Sequence, residues 1–220
     1  MRRLRGDLEA VPLVQKSTLY EAGARLKHLY FPTSGIVSLL HGTADGASAE
    51  IAIVGNEGVV GISLVMGDEP TPSSAVVQSC GAALRVGAEV LDAELRRGGR
   101  LQQLLLGYTH SLIAQMSQTA VCHRHHSVEQ RLCRWLLMSV DRLSSGEVAV
   151  TQELIAQMLG VRREGITEAM SRLQEGGVLR HSRGRIVLTS RARMQARACE
   201  CYAFARREHE RLLHSIYRER

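Results

Sequence analysis

TQELIAQMLGVRREGITEAMSRLQE, residues 151–175, decides how this chain is read. Thr151 is a good N-cap, and Glu153 in the following turn suits the positive end of a helix. Leu154, Ile155 and Met158 recur at helical spacing. Leu159-Gly160-Val161 then interrupts the pattern, and Gly160 can take the left-handed conformation that turns a chain sharply. A second helix is predicted from about Arg163, with Ile166, Ala169, Met170 and Leu173 as its buried face and Gly176-Gly177 as its end. Two short helices joined by a tight glycine-containing turn make a helix-turn-helix. In that motif the N-terminal residues of the second helix enter the DNA major groove. Arg162, Arg163, Glu164, Thr167, Glu168 and Ser171 occupy the outward positions here, while Thr151 and Gln152 open the first helix beside them. An arginine can bond guanine O6 and N7 in bidentate fashion, and a glutamate can accept from cytosine N4. An ordinary helical hairpin with a solvated charged face would share the same spacing.

The next segment favours the nucleic-acid reading. Val178-Leu179-Arg180-His181 and Arg185-Ile186-Val187-Leu188-Thr189 are strand-like, and Ser182-Arg183-Gly184 between them reads as a tight turn. Arg183 and Arg185 lie at its tip, where they can meet phosphates; such contacts position a protein without reading sequence. A helix-turn-helix followed directly by a basic hairpin is more specific than either part. Charge points the same way. Residues 144–220 hold 14 Lys and Arg against 9 Asp and Glu, whereas residues 1–143 hold 14 against 13, so five of the six net positive charges sit in the last third. A basic module of this kind suits a polyanion.

Upstream, residues from Arg100 to about Cys122 form a long predicted helix. Leu105, Tyr108 and Leu112 make one apolar stripe; Leu106, Thr109, Ile113, Met116 and Ala120 make a second at steps of three and four. Two seams imply two packing partners, the helix's own domain and a second helix, as in a dimer coiled coil. Ser127-Val128-Glu129-Gln130 has the form of a capping box and starts another helix, in which Trp135 is read as a core anchor. The sequence CHRHH, residues 122–126, falls at the junction. Its Cys122, His123, His125 and His126 are all metal-ligating types. The cap at Ser127 and the absence of Asp or Glu among these residues favour a hinge over a metal site, with histidine titration near neutrality as a third reading. Cys199 and Cys201, two apart on one expected C-terminal helix with the stripe Met194, Ala198, Cys201, Ala205, Leu212 and Ile216, should point away from each other.

Residues 10–97 read as short strands separated by turns: Pro32-Thr33-Ser34-Gly35 after Leu29-Tyr30-Phe31, Asp45-Gly46, Gly55-Asn56-Glu57-Gly58, Gly67-Asp68 and Pro70-Thr71-Pro72. Regularly spaced short strands suggest an all-β sandwich or roll. Aromatics at 4% make a stacking surface for single strands unexpected. No apolar run approaches membrane-spanning length and the basic N-terminus lacks a secretory core, so a cytoplasmic protein with no membrane partner is expected. Five cysteines without zinc-knuckle or thioredoxin spacing read as reduced, mostly packed thiols.

Taken together, these stretches resemble the Crp/Fnr family of bacterial transcription regulators over roughly residues 10–190. The strongest motif is Gly160-Val161-Arg162-Arg163-Glu164, in which Arg163-Glu164 falls where the family places its base-contacting pair. Tyr20-Glu21-Ala22-Gly23 and Phe31-Pro32-Thr33-Ser34-Gly35-Ile36-Val37 resemble its effector-binding β-roll, and the long helix resembles its dimerisation helix. The resemblance implies a homodimer reading a palindromic site with half-sites about one helical turn apart. It also exposes departures. Cyclic-nucleotide binders use a Glu and an Arg where Ile62 and Ser73 stand here, and no Arg or Lys lies between Leu64 and Val77. An anionic phosphate would lack its charge partner, so cyclic AMP is not the expected ligand. No cysteine precedes Cys80, which removes the family's N-terminal iron–sulfur site. Glu168 replaces the basic residue found there in some members.

The expected fold is α+β: an N-terminal β-roll (jelly-roll-like) over 10–97, a long dimerisation helix and hinge over 98–126, and a C-terminal winged helix-turn-helix with a helical extension over 127–220. The expected partners are double-stranded DNA, a second copy of the chain, an unidentified small-molecule effector and, for an activator, RNA polymerase. No catalytic residue, cofactor or metal is expected. The alternatives are a metal-, pH- or redox-responsive regulator acting through CHRHH, and a cupin-like metal-dependent enzyme, for which His28 and His41 are the roll's only histidines.

Overall fold

The computed structural model describes residues 3–67 and 70–217. The chain folds as α+β, with an antiparallel roll, a long helix and a helical module carrying a second small sheet. In the roll, β1 (Glu9–Leu13), β5 (Ser74–Gly87), β3 (His28–Gly42) and β4 (Ser48–Val54) are adjacent in that order, and β2 (Thr18–Tyr20) also pairs with β5. Every pairing is antiparallel. Alternate residues face inward, which buries Leu29, Val37, Leu39, Ala52, Val54, Ala75, Val77 and Val86 in one core.

Two expectations change here. Pro32-Thr33-Ser34-Gly35 is not a turn. It lies inside the 15-residue β3, whose register against β5 slips between Pro32 and Ser34, between Ser34 and Ile36 and between Ile36 and Val37. The same Pro and Gly chemistry that makes turns also makes bulges, which bend a strand without ending it. The short strands expected over residues 10–97 are likewise too short near the end of that range: Ala75–Val77 and Ala83–Val86, each strand-like by itself, belong to one 14-residue strand, β5. The segment also contains two helices that strand patterning hid, α1 (Ser63–Met66) and α2 (Ala88–Arg96). Asp45-Gly46 does form the β3–β4 turn, closed by the Thr43 N–H to the Ala47 carbonyl at 2.8 Å.

The long helix, α3, runs Arg100–His125, and α4 runs Val128–Val140. Between them His126 is extended and Ser127 is the cap. The Ser127 hydroxyl accepts from the Gln130 N–H at 3.3 Å, and the Gln130 side chain accepts from the Ser127 N–H at 3.0 Å, which completes the capping box. Downstream lie β6 (Glu147–Ala149), α5 (Gln152–Leu159), α6 (Arg163–Glu175), β7 (Leu179–Ser182) and β8 (Arg185–Leu188), then α7 (Arg191–Arg197) and α8 (Cys201–Tyr217). β6 joins the wing to give a sheet of order β6-β8-β7. The expected single C-terminal helix is therefore two, split at Ala198–Glu200. Of its proposed stripe, Met194 and Cys201 are buried and Ala198 and Ala205 half-buried, while the side chains of Leu212 and Ile216 lie outside the described residues.

Roll and helical module share a core. Ile36, Leu40 and Ile53 of the roll pack with Trp135, Leu136, Met158 and Leu159. A buried polar chain crosses the same boundary: Trp135 Nε1 donates to Glu50 Oε1 at 2.9 Å, Ser38 Oγ to Glu50 Oε2 at 2.6 Å, and Gln78 Nε2 to Ser139 Oγ at 3.1 Å. Trp135 is thus a core anchor with a polar tether to the other half of the molecule.

Candidate nucleic-acid interface

Thr151 caps α5, its hydroxyl accepting the Leu154 N–H at 3.2 Å. Gly160 ends that helix at φ 60°, ψ 44°, the left-handed conformation a side chain would resist. The chain then re-enters α6 with Ile166, Ala169, Met170 and Leu173 buried. The same periodicity leaves Arg162, Arg163, Glu164, Thr167, Glu168 and Ser171 on the opposite, solvent-facing side. Thr167 Oγ1 donates to Gln152 Oε1 at 2.8 Å, which fixes α6 against the start of α5.

These side chains differ in how far they are engaged. Arg163 lies 3.9 Å from Glu153, both well exposed, a pairing worth little in water. Glu168 is held by Arg172 at 2.5 Å, and Arg172 also donates to Glu129 of α4 at 2.9 Å. Arg197 of α7 reaches the same carboxylate at 3.1 Å. This brace ties α6 to its scaffold, and sequence reading missed it because Glu129, at its centre, is 43 residues from Arg172 and 68 from Arg197.

The wing follows α6 directly. The His181 N–H donates to Gln174 Oε1 at 3.2 Å, and Thr189 Oγ1 to the Gly177 carbonyl at 2.7 Å, which pins the hairpin to the recognition helix. Ser182 pairs with Arg185, leaving Arg183-Gly184 as a two-residue loop with φ 48° and 75°. Positive φ at both positions is the signature of a type I′ turn. It presents Arg183 and Arg185 as exposed side chains at the tip, Arg185 lying 3.4 Å from Glu147.

The roll carries a cavity of about 310 Å³ against α3, lined by Tyr20, Leu39, Ile62, Ser73, Leu112, Ile113 and Met116 among others. Ile62 and Ser73 both face it, and none of the described lining residues bears a charge at neutral pH. His28 and His41 stand at opposite ends of β3, too far apart to share an ion. At the hinge, burial and the charges of Arg131 and Arg134 push His123 down to about 4, so its imidazole is neutral at physiological pH. Cys199 precedes α8 instead of lying on it, which corrects the expectation that it diverges from Cys201; Cys122, His126, Cys199 and Cys201 all meet. No helix among the described residues is long and apolar enough to cross a membrane.

A roll with a solvent-open cavity against its helix, tied by that long helix to a winged helix-turn-helix, defines a two-part DNA-binding regulator. The chain belongs to the Crp/Fnr family of transcription regulators: residues 11–97 match the cyclic nucleotide-binding domain and residues 130–197 the Crp-like helix-turn-helix domain. Its fold is similar to that of FixK2 from Bradyrhizobium japonicum, with a TM-score of 0.74, 18% identity and coverage of 87% of this chain and 98% of that one. A transcriptional regulator of the CRP family from Thermus thermophilus aligns with a TM-score of 0.70 at 17% identity over 86% of this chain and 96% of its own. The c-di-GMP responsive global regulator CLP of Xanthomonas campestris aligns with a TM-score of 0.69 at 16% identity over 86% and 97%. No curated protein matches the sequence.

Proposed function

We propose that the chain acts as a homodimer that reads a palindromic duplex site, each α6 lying in a major groove and each wing tip on the flanking backbone. The observation that carries this reading is the exposed face of α6, where Arg163 and Glu164 stand at the helix start with the apolar side chains Ile166, Ala169, Met170 and Leu173 turned inward. Arg163 is the guanine reader and Glu164 its cytosine-facing neighbour. Arg162, Thr167, Glu168 and Ser171 border them, with Glu168 held off by Arg172. Thr151, Gln152, Arg183 and Arg185 supply positioning contacts to phosphates. Affinity then falls steeply with salt, because phosphate neutralisation releases counterions.

The effector, on this reading, enters the cavity between the roll and α3. Its described lining, which carries no cationic side chain, fits a neutral, largely apolar molecule better than an anionic cyclic nucleotide. Ile113 and Met116 line the cavity and belong to the seam proposed for dimer contact, so occupancy can be felt at the subunit interface directly. RNA polymerase is a further partner if the regulator activates.

The test is selection of bound duplexes from a random pool, with purified protein alone and with cell extract added. A two-fold symmetric consensus with half-sites about ten base pairs apart supports the reading. Arg163→Ala should relax base choice at one position of each half-site and cost about 1–3 kcal/mol of affinity. Wild-type preference in that variant, or a pool that stays random under both conditions, would overturn it.

A further inference from the structure

Three elements converge at the hinge. Cys122 lies on the last turn of α3, His126 follows that helix as its C-cap residue, the α7–α8 connection supplies Cys199, and Cys201 is the first residue of α8. Their ligand atoms all lie within 4.8 Å of one another. Cys122 Sγ is 3.6 Å from Cys199 Sγ, and Cys201 Sγ is 3.5 Å from His126 Nδ1. Zinc binds thiolate sulfur at about 2.3 Å and imidazole nitrogen at about 2.0 Å, so a tetrahedral ion sets its ligands roughly 3.5–3.8 Å apart. The spacing suits a single ion.

We propose that Cys122, His126, Cys199 and Cys201 form a closed Cys3His site for a thiophilic divalent ion of the zinc class, stapling the α3–α4 hinge to the start of α8. Proximity is supported by three features of the surroundings. His126 Nε2 lies 3.2 Å from Glu200 Oε1, so the carboxylate can accept the Nε2–H and leave the Nδ1 lone pair for the ion, the arrangement that orients metal-bound histidines. Gln118 Nε2 donates to Cys201 Sγ at 2.9 Å, a bond that a thiolate accepts well. Two buried guanidiniums on α4, Arg131 and Arg134, bond only neutral oxygens among the described residues (the Leu159 carbonyl and the Thr119 hydroxyl), and each keeps an Nε–H without a hydrogen-bond partner. Buried cations are costly when uncompensated. A dication bound by three thiolates and one neutral imidazole carries one net negative charge and supplies that compensation. All four positions come from protein, as in structural rather than catalytic zinc sites.

The test uses full-length, tag-free protein purified with reductant and without chelator. About one zinc per chain is expected. After its removal, Co(II) titration should give the intense ligand-field and thiolate charge-transfer bands of a tetrahedral site, saturating at about one ion per chain. Cys199→Ser should weaken Co(II) binding by more than ~10-fold, and Glu200→Gln, which keeps every ligand, by roughly 10-fold. Cys80→Ser, an exposed thiol elsewhere, should leave it unchanged. Weak octahedral bands, no saturable binding in reduced wild-type protein, or full affinity in Cys199→Ser would each refute the site. The wild-type spectrum decides even if a buried variant misfolds. Because the readout is metal and not DNA, failure here leaves the proposed function standing.

Discussion

Gly165 sits in the first turn of the recognition helix, where a glycine costs about 1 kcal/mol relative to alanine. A Cβ built there would meet only the Val128 methyls at 3.9 Å, ordinary van der Waals contact. Gly165→Ala should therefore raise stability by about 0.5–1 kcal/mol, seen as a higher urea midpoint at unchanged slope. An unchanged or lower midpoint would mean that α6 needs flexibility at this turn. Arg183 makes the opposite trade. It holds φ 48° at the first loop position of a type I′ turn, where asparagine is at home. Arg183→Asn is expected to stabilise the hairpin slightly and yet bind DNA more weakly, with the salt dependence reduced by about one ion per subunit. Loss of stability together with unchanged DNA affinity would contradict a phosphate role. Motifs of this kind were legible in sequence because their physics is local: a cap, a left-handed glycine and a buried stripe lie within one short stretch, residues 151–175.

At the scale of elements, legibility falls where pairing is remote. Pro32–Gly35 carries turn chemistry, and only its partners Ala82 and Ala83 in β5 make it a bulge within one strand. The α7–α8 break was hidden for a similar reason. A helical stripe can be drawn through Met194, Ala198, Cys201 and Ala205, but the helix breaks between Ala198 and Glu200, and Cys199 joins Cys122, 77 residues away. Glu50 is a third case. No sequence signal singles it out, yet it is buried against Trp135 of α4, and burial raises its carboxyl to about 7. A folded-state pKa above the unfolded value near 4.5 means that the native state binds the proton more tightly. This contribution to stability is full below about pH 4.5 and is lost as pH rises through about 7. Across that window the loss is on the order of 3 kcal/mol. Glu50→Gln keeps the Trp135 bond, and Ser38 can turn its hydroxyl to Gln78 Oε1, already 3.1 Å away. The variant should gain on wild type in urea denaturation at about pH 8 and lose that advantage at about pH 4.5. Parallel stability curves would show that Glu50 does not titrate across this window.

For the whole molecule, the exposed apolar surface that asks for a partner is the outer face of α3. Leu106, Ile113 and Val121 are 52%, 52% and 50% exposed, large side chains in water on a helix whose other face is packed against its own roll. Leu106, Ile113 and Ala120 are exposed and recur every seven residues, the repeat by which two helices pack along a common seam; Met116 is half-buried between them, and Thr109, expected on the same stripe, is instead buried in its own protomer. Burying the exposed half of such side chains contributes roughly 0.8–1.5 kcal/mol each, and a symmetric pair contributes twice. A charge introduced on the seam meets its own copy across the two-fold axis and loses water as well. Leu106→Glu is therefore expected to dissociate the proposed dimer while leaving the fold of each chain intact, since the native side chain is already half exposed. Light scattering should return 24.2 kDa for the variant and twice that for the native protein at the same concentration. Affinity for a two-half-site duplex should drop toward that for one half-site, because the second recognition helix no longer arrives tethered to the first. A variant that stayed dimeric and bound as wild type would move the interface off α3, and with it the route by which the cavity at Ile113 and Met116 reaches the DNA-binding half.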